Sequence, residues 1–117
     1  MMYVEEAHAS DEWPISSGRF NKGRGAVQIN QPKTSTERIE VAQQFLNNYD
    51  IPVEKETCRL QVACDIPELD NPFEKYYAPW PLRLYVVQNG TMRFIAQPKN
   101  CTYDVTELRA FLVQKYA

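Results

Sequence analysis

Hydrophobic and polar positions along this chain switch between two periods. Residues 1–4 form a short apolar run that stops abruptly at Glu5 and Glu6, as a buried strand does when its end opens onto a polar site. From Thr34 the spacing becomes helical. Ile39, Ala42, Phe45, Leu46 and Tyr49 predict the buried stripe of a helix reaching about residue 48, and Thr34 with Glu37 has the form of a capping box at its start. Pro52 and the charges Glu54, Lys55 and Glu56 predict a closing loop. Residues 59–65 alternate, with Leu60, Val62 and Cys64 on one face, which predicts a strand. Residues 67–72 read as a turn-rich linker and 73–77 as a short helical turn. Residues 82–88 and 91–97 are two strands around Asn89-Gly90, the strongest short hairpin signal, because both residues tolerate positive φ. A last helix is predicted from about residue 104, opened by Asp104 and Glu107, with Val105, Leu108, Phe111 and Leu112 on its apolar face.

The order is strand, loop, helix, strand, hairpin of two strands, helix, which makes an α/β chain. At 117 residues a single domain over 1–117 is expected, with a core of modest size. The net charge of -2 gives no electrostatic case for nucleic acid. No apolar run approaches the ~20 residues of a membrane span and no signal-peptide pattern is present, so a soluble, cytoplasmic protein is the default expectation. Cys58, Cys64 and Cys101 form no CxxC pair, and a single histidine is too little to complete a zinc site, so neither a metal nor another cofactor is expected. Asp65, Glu68 and Asp70 cluster, but they read better as a solvated loop than as a cation site.

The segment with the most chemistry in it is 3–13, which holds the only histidine, His8. A histidine moves protons near neutral pH, and a neighbouring carboxylate fixes its tautomer and steadies its charged form. If the strand continued, alternation would put Glu6 and His8 on one face and Glu5 on the other. The spacing is also compatible with an idle, solvated histidine at a strand end. Residues 14–33 follow as a long irregular stretch containing Gly18, Gly23, Gly25 and Arg24, either a substrate-binding lid or a plain surface excursion.

The run Tyr3-Val4-Glu5-Glu6-Ala7-His8-Ala9-Ser10-Asp11-Glu12-Trp13 resembles the Glu-Ala-His-Pro/Ala-Ser-Asp-Gly-Trp signature of the iodothyronine deiodinases and their microbial relatives. Two further stretches are similar to segments of the microbial members, Gln31-Pro32-Lys33-Thr34-Ser35-Thr36-Glu37-Arg38 and Ala78-Pro79-Trp80-Pro81-Leu82-Arg83-Leu84-Tyr85-Val86-Val87. The resemblance implies a thioredoxin-like fold lacking its first strand and first helix, in the order β-loop-α-β-β-β-α. It also implies reductive removal of iodine from a small aromatic substrate, with a thiol reductant as co-reactant. Glu6 and His8 match the family's carboxylate and histidine, which would orient the substrate phenol and relay a proton. Ser10, Trp13, Trp80, Pro81 and Lys99 are the matching or nearest residues for lining the substrate pocket. Glu12 stands where the family has glycine, so a different turn is expected there.

The family's nucleophile is a selenocysteine or cysteine between the first strand and first helix, where a helix N-terminus favours the anionic chalcogen. That element lies upstream of the Glu-Ala-His strand and has no counterpart in these 117 residues, so an N-terminally truncated domain is expected. Cys64 is a poor substitute, because it sits at a strand end beside Asp65. Two other readings remain: a non-catalytic thioredoxin-like binding module, and a thiol-dependent reductase or peroxidase. A domain missing a strand and a helix would expose apolar surface, so self-association, as a homodimer or an aggregate, is expected.

Overall fold

The computed structural model describes residues 1–14, 29–51, 54, 55, 58–79, 82–96 and 105–116. It divides into two compact units, Met1–Pro81 and Leu82–Ala117.

The first unit is a strand–helix–strand arrangement. β1 (Met2–Tyr3) pairs in parallel with β4 (Ala63–Cys64), Met2 opposite Ala63 and Tyr3 opposite Cys64. Parallel strands need a long crossover between them, and here the crossover carries α1 (Ser35–Asn48). The capping box at its start is complete. Glu37 N–H donates to Thr34 Oγ1 at 3.2 Å and Thr34 N–H donates back to Glu37 Oε2 at 3.0 Å. At the other end Asp50 is left-handed (φ 50°), and Ile51 N–H reaches the Leu46 carbonyl at 3.0 Å, satisfying a carbonyl the last turn leaves over.

The face of α1 that is buried is rotated from the expected one. Ala42 is buried and Phe45 and Leu46 are half-buried, but Ile39 and Tyr49 are about half exposed. The deepest position is Arg38, one turn before Ala42 and wholly buried. Tyr3 of β1 packs near Phe45, with ring centroids 6.1 Å apart, and Phe45 stacks on Tyr49 at 4.9 Å.

The strand predicted over 59–65 is two separate pieces. β3 (Cys58–Arg59) pairs antiparallel with β2 (Glu54–Lys55), in a stretch predicted as loop, and only Ala63–Cys64 joins β1. A 3-10 turn (Pro67–Leu69) and α2 (Pro72–Tyr77) follow. Here Asp65 corrects the expectation of a solvated acidic loop. It is buried, and its carboxylate accepts N–H groups from Ile66 (3.0 Å), Phe73 (3.0 Å) and Glu74 (2.8 Å). Two of these are first-turn donors of α2, which its own N-cap residue Asn71 leaves unsatisfied. Glu68 is engaged as well, accepting Ser35 N–H at 2.7 Å and the Ser35 hydroxyl at 2.6 Å.

The second unit is the predicted hairpin and helix. β5 (Tyr85–Gln88) and β6 (Thr91–Ile95) are antiparallel, with an irregularity in register between Val86 and Val87. Asn89 (φ 51°) and Gly90 (φ 71°) take the positive values that a type I′ turn requires. On α3 (Val105–Tyr116), Phe111 stacks on Phe94 at 5.0 Å, and Phe111 and Leu108 are half-buried. Val105 and Leu112 are exposed, so the apolar face is narrower than the sequence suggested. No helix among the described residues is long and apolar enough to cross a membrane.

Candidate active site

The site begins where β1 stops. After Tyr3 the chain does not stay extended, so strand alternation does not carry on to His8, and the shared face expected for Glu6 and His8 is corrected. The cause is Gln31, which is buried. Its side chain accepts Glu6 N–H at 2.9 Å and donates to the Glu6 carbonyl at 3.2 Å, occupying both backbone groups that a neighbouring strand would use. Gln31 Nε2 also lies 3.3 Å from Glu12 Oε2, and its backbone N–H donates to Asp11 Oδ1 at 2.8 Å. One glutamine thus fixes the turn at four points. The Ser10 N–H to Ile29 carbonyl bond (2.8 Å) and the pairing of Lys33 with Glu12 tie it further to the chain before α1.

His8 sits at φ 74°, in the left-handed region that side chains other than glycine seldom adopt, and is exposed. Its Nδ1 lies 3.3 Å from the Trp13 carbonyl oxygen, and its ring packs on the Trp13 indole at a centroid distance of 4.7 Å. The backbone closes this turn through Glu12 N–H and Trp13 N–H, both donating to the Ala9 carbonyl. Glu12 itself is not left-handed, so the turn does not need the family's glycine there.

Glu6 is partly buried, and its carboxylate accepts the Tyr3 hydroxyl. Burial pushes its pKa above the ordinary value, opposed by the positive charge of Arg38. Glu6 and His8 therefore have separate partners, one on the Tyr3 side and one on the Trp13 side. The turn thus carries a partly buried carboxyl and an exposed imidazole, each with its own partner. Glu12 and Lys33 hold each other ionised, the Lys33 ammonium lowering the Glu12 pKa and Glu12 raising that of Lys33.

Behind the turn is a polar chain that the sequence reading did not single out. Arg38 Nη1 donates to the Asp65 carbonyl at 3.2 Å and to Asn71 Oδ1 at 2.5 Å, and Asn71 Nδ2 donates to Glu5 Oε1 at 2.6 Å. Gln31 and Arg38 stand at the two ends of a stretch similar to a family segment, and Arg38 lies one helical turn before Ala42, but neither signal gave a role; Asn71 had no signal. Two openings flank α1. A polar cleft of about 450 Å³ is lined by Asp11, Gln31, Lys33, Glu37 and Glu40. An apolar groove of about 560 Å³ is lined by Ile39, Ala42, Leu46, Val62, Cys64 and Ile66.

Cys64 has a free thiol, half-buried in that groove. Its pKa is raised, and the cause is burial, with Arg38 opposing, in place of the expected charge of Asp65. Trp80, Pro81, Lys99 and Cys101, most of the 14–33 stretch, and the side chain of Cys58 lie outside the described residues. Among the described residues no group of three histidine, cysteine or acidic side chains is arranged to hold a metal ion.

Comparison with known proteins bears on this arrangement. Over 117 residues the chain is 21% identical to the type II iodothyronine deiodinase of Rattus norvegicus, all of this chain and 40% of that protein. Over 112 residues it is 30% identical to the type II iodothyronine deiodinase of Petromyzon marinus, 96% of this chain and 34% of that protein. The chain therefore spans about two-fifths or less of the length of these curated relatives. The profile of the iodothyronine deiodinase family matches residues 1–116, a span that includes the Glu6–Trp13 turn, Arg38 and Asp65 alike. By that near-complete match, the chain belongs to the iodothyronine deiodinase family.

Proposed function

We propose that this chain carries the proton-handling half of a deiodinase-like oxidoreductase site in a single domain of thioredoxin-like architecture. In this reading a selenolate or thiolate on an element preceding β1 attacks iodine on an aromatic ring. The carbon–iodine bond breaks, iodine passes to the chalcogen, and the ring carbon takes a proton. A thiol reductant then reduces the chalcogen–iodine bond and frees iodide. His8 supplies or relays the proton, and Glu6 holds the substrate hydroxyl. Ser10 and Trp13 lie on the same turn.

The observation that carries the reading is the pairing of a carboxyl raised by burial with an exposed imidazole, on one turn, in a chain of this family. A carboxyl whose pKa is raised by burial and an imidazole are groups of the kind general acid catalysis uses. The parallel β1–β4 pair with its helical crossover supports the thioredoxin-like order. The raised thiol of Cys64 counts against a local nucleophile and so against a thiol reductase built on this cysteine.

Iodide released from an iodinated phenol by the native coding-length protein, with a dithiol present, tests this. His8→Gln and Glu6→Gln should each lower the rate by about 10²-fold or more. A rate indifferent to both sinks the relay. The second reading, a non-catalytic binding module, is favoured by the apolar groove beside α1. It predicts that iodinated phenols bind the 117-residue chain in the absence of any redox-active residue, and that no coding-length product releases iodide.

A further inference from the structure

Arg38 occupies a position that the helical period reserves for an apolar side chain, and it is wholly buried. A guanidinium cannot shed its proton at any ordinary pH, so the charge stays. An uncompensated buried charge costs several kcal/mol, and a fold keeps one where it is engaged. The engagement here has a direction. Arg38 only donates and the Glu5 carboxylate only accepts, and between them stands Asn71, whose amide accepts from the one through Oδ1 and donates to the other through Nδ2. An aspartate could not donate onward to Glu5, and a serine is too short to reach both.

The backbone holds that amide in place. Asp70 (φ 59°) and Asn71 (φ 50°) are consecutive left-handed residues, a conformation asparagine and aspartate tolerate better than most. Asp65, whose carboxylate fixes the start of α2, also presents its carbonyl to Arg38. The charge of Arg38 further acts on Glu6 against its burial, while Tyr3 faces Glu6 from β1. Arg38 Nε is buried without a hydrogen-bond partner among the described residues, so its structural contacts do not exhaust it.

We propose that Arg38 is a positioning residue that, through Asn71, anchors the Glu5 carboxylate on the segment that follows β1. The inference rests on the deiodinase reading only for what Glu6 does in a reaction; the anchoring itself stands on the geometry.

The test is a ¹³C side-chain titration of Glu5 and Glu6 in the 117-residue chain, folding being followed by circular dichroism. Asn71→Ala should move the Glu5 carboxyl resonance, which reads the loss of the Asn71 Nδ2 donor, and leave that of Glu6 in place. Arg38→Gln should raise the Glu6 midpoint, and Arg38→Lys, which keeps the charge, should return it. Glu5→Ala should speed exchange of the Asn71 side-chain amide protons, which reads the same link from the other end if the first variants do not fold. Folded Asn71→Ala with an unmoved Glu5, or Glu5→Ala with an unmoved Asn71 amide, overturns the proposal. None of these readouts needs turnover. If the carboxyls respond while iodide release ignores Glu6→Gln, the reaction reading fails and the anchoring stands.

Discussion

Replacing Asp65 tests whether one buried carboxylate organises the segment between β4 and α2. Asp65 is 3% exposed and accepts three backbone N–H groups, two of them the unsatisfied first-turn donors of α2. Hydrogen bonds to a charged acceptor contribute about 1.5–3 kcal/mol each, and an orphaned buried donor costs about 1–3 kcal/mol. The bond to Ile66 closes a tight local ring, and the freed donors are only partly buried, so water takes up part of the loss. The net for Asp65→Ala is about 2–4 kcal/mol. For a unit this size each kcal/mol shifts the melting temperature by roughly 4–8 °C, so a fall of at least about 8 °C is expected. Tryptophan fluorescence is the right probe, because both tryptophans, Trp13 and Trp80, fall within the first unit. Asp65→Asn keeps one acceptor oxygen and the volume, and should lose about half as much. Hydrogen exchange adds a local reading, in which the Phe73 and Glu74 amides lose protection in Asp65→Ala. A melting temperature within about 2 °C of the parent, or unchanged protection at those amides, refutes the reasoning.

Two further outcomes follow from the site. The pKa of Glu6 is raised on folding, so the folded state binds more protons there than the unfolded chain does. Its contribution is most favourable below the ordinary value near 4.5 and is lost as pH rises from there through the folded value. Glu6→Gln keeps an acceptor for the Tyr3 hydroxyl and removes the titration. Urea melts should show the variant gaining stability relative to the parent between pH 4 and neutrality, and a pH-independent difference contradicts the burial argument. Gln31→Ala should cost about 1–3 kcal/mol and displace the His8 ring proton resonances, since it releases the Glu6 backbone at both ends. An unmoved His8 spectrum means that Gln31 does not shape the turn.

What the sequence made legible was whatever a local rule writes into neighbouring residues. Thr34 and Glu37 announced the start of α1 because the two halves of a capping box lie three positions apart. Asn89-Gly90 announced the hairpin because a type I′ turn needs two residues at ease with positive φ. Short-range patterns failed wherever a side chain from far along the chain took over a backbone group. Gln31 ends the strand before Glu6, from 25 positions away, and no periodicity within residues 1–8 contains that information. Asp65 looked like one acid of a solvated cluster, because two of the three donors it serves belong to a helix that starts seven positions later. Arg38 was hidden by its type: a hydrophobic stripe is read by counting apolar residues, and the most buried residue of α1 is a cation. The motifs around His8 located the site, while its geometry came from Gln31, Arg38 and Asn71, whose contacts no motif spelled out.

The parallel pairing of β1 with β4 also has a temporal side. Met2 meets Ala63 about 60 residues later in the chain, and nothing nearer serves as its strand partner among the described residues. A ribosome adding roughly 5–20 residues per second emits the two strands roughly 3–12 seconds apart. Before β4 is made, the capped helix α1 is already complete with its local signals and can form, whereas the strand bearing Tyr3 has no sheet to join. The strand that leads into the Glu6–Trp13 turn thus waits for a partner made long after it, while the turn itself has Gln31 to hold it sooner.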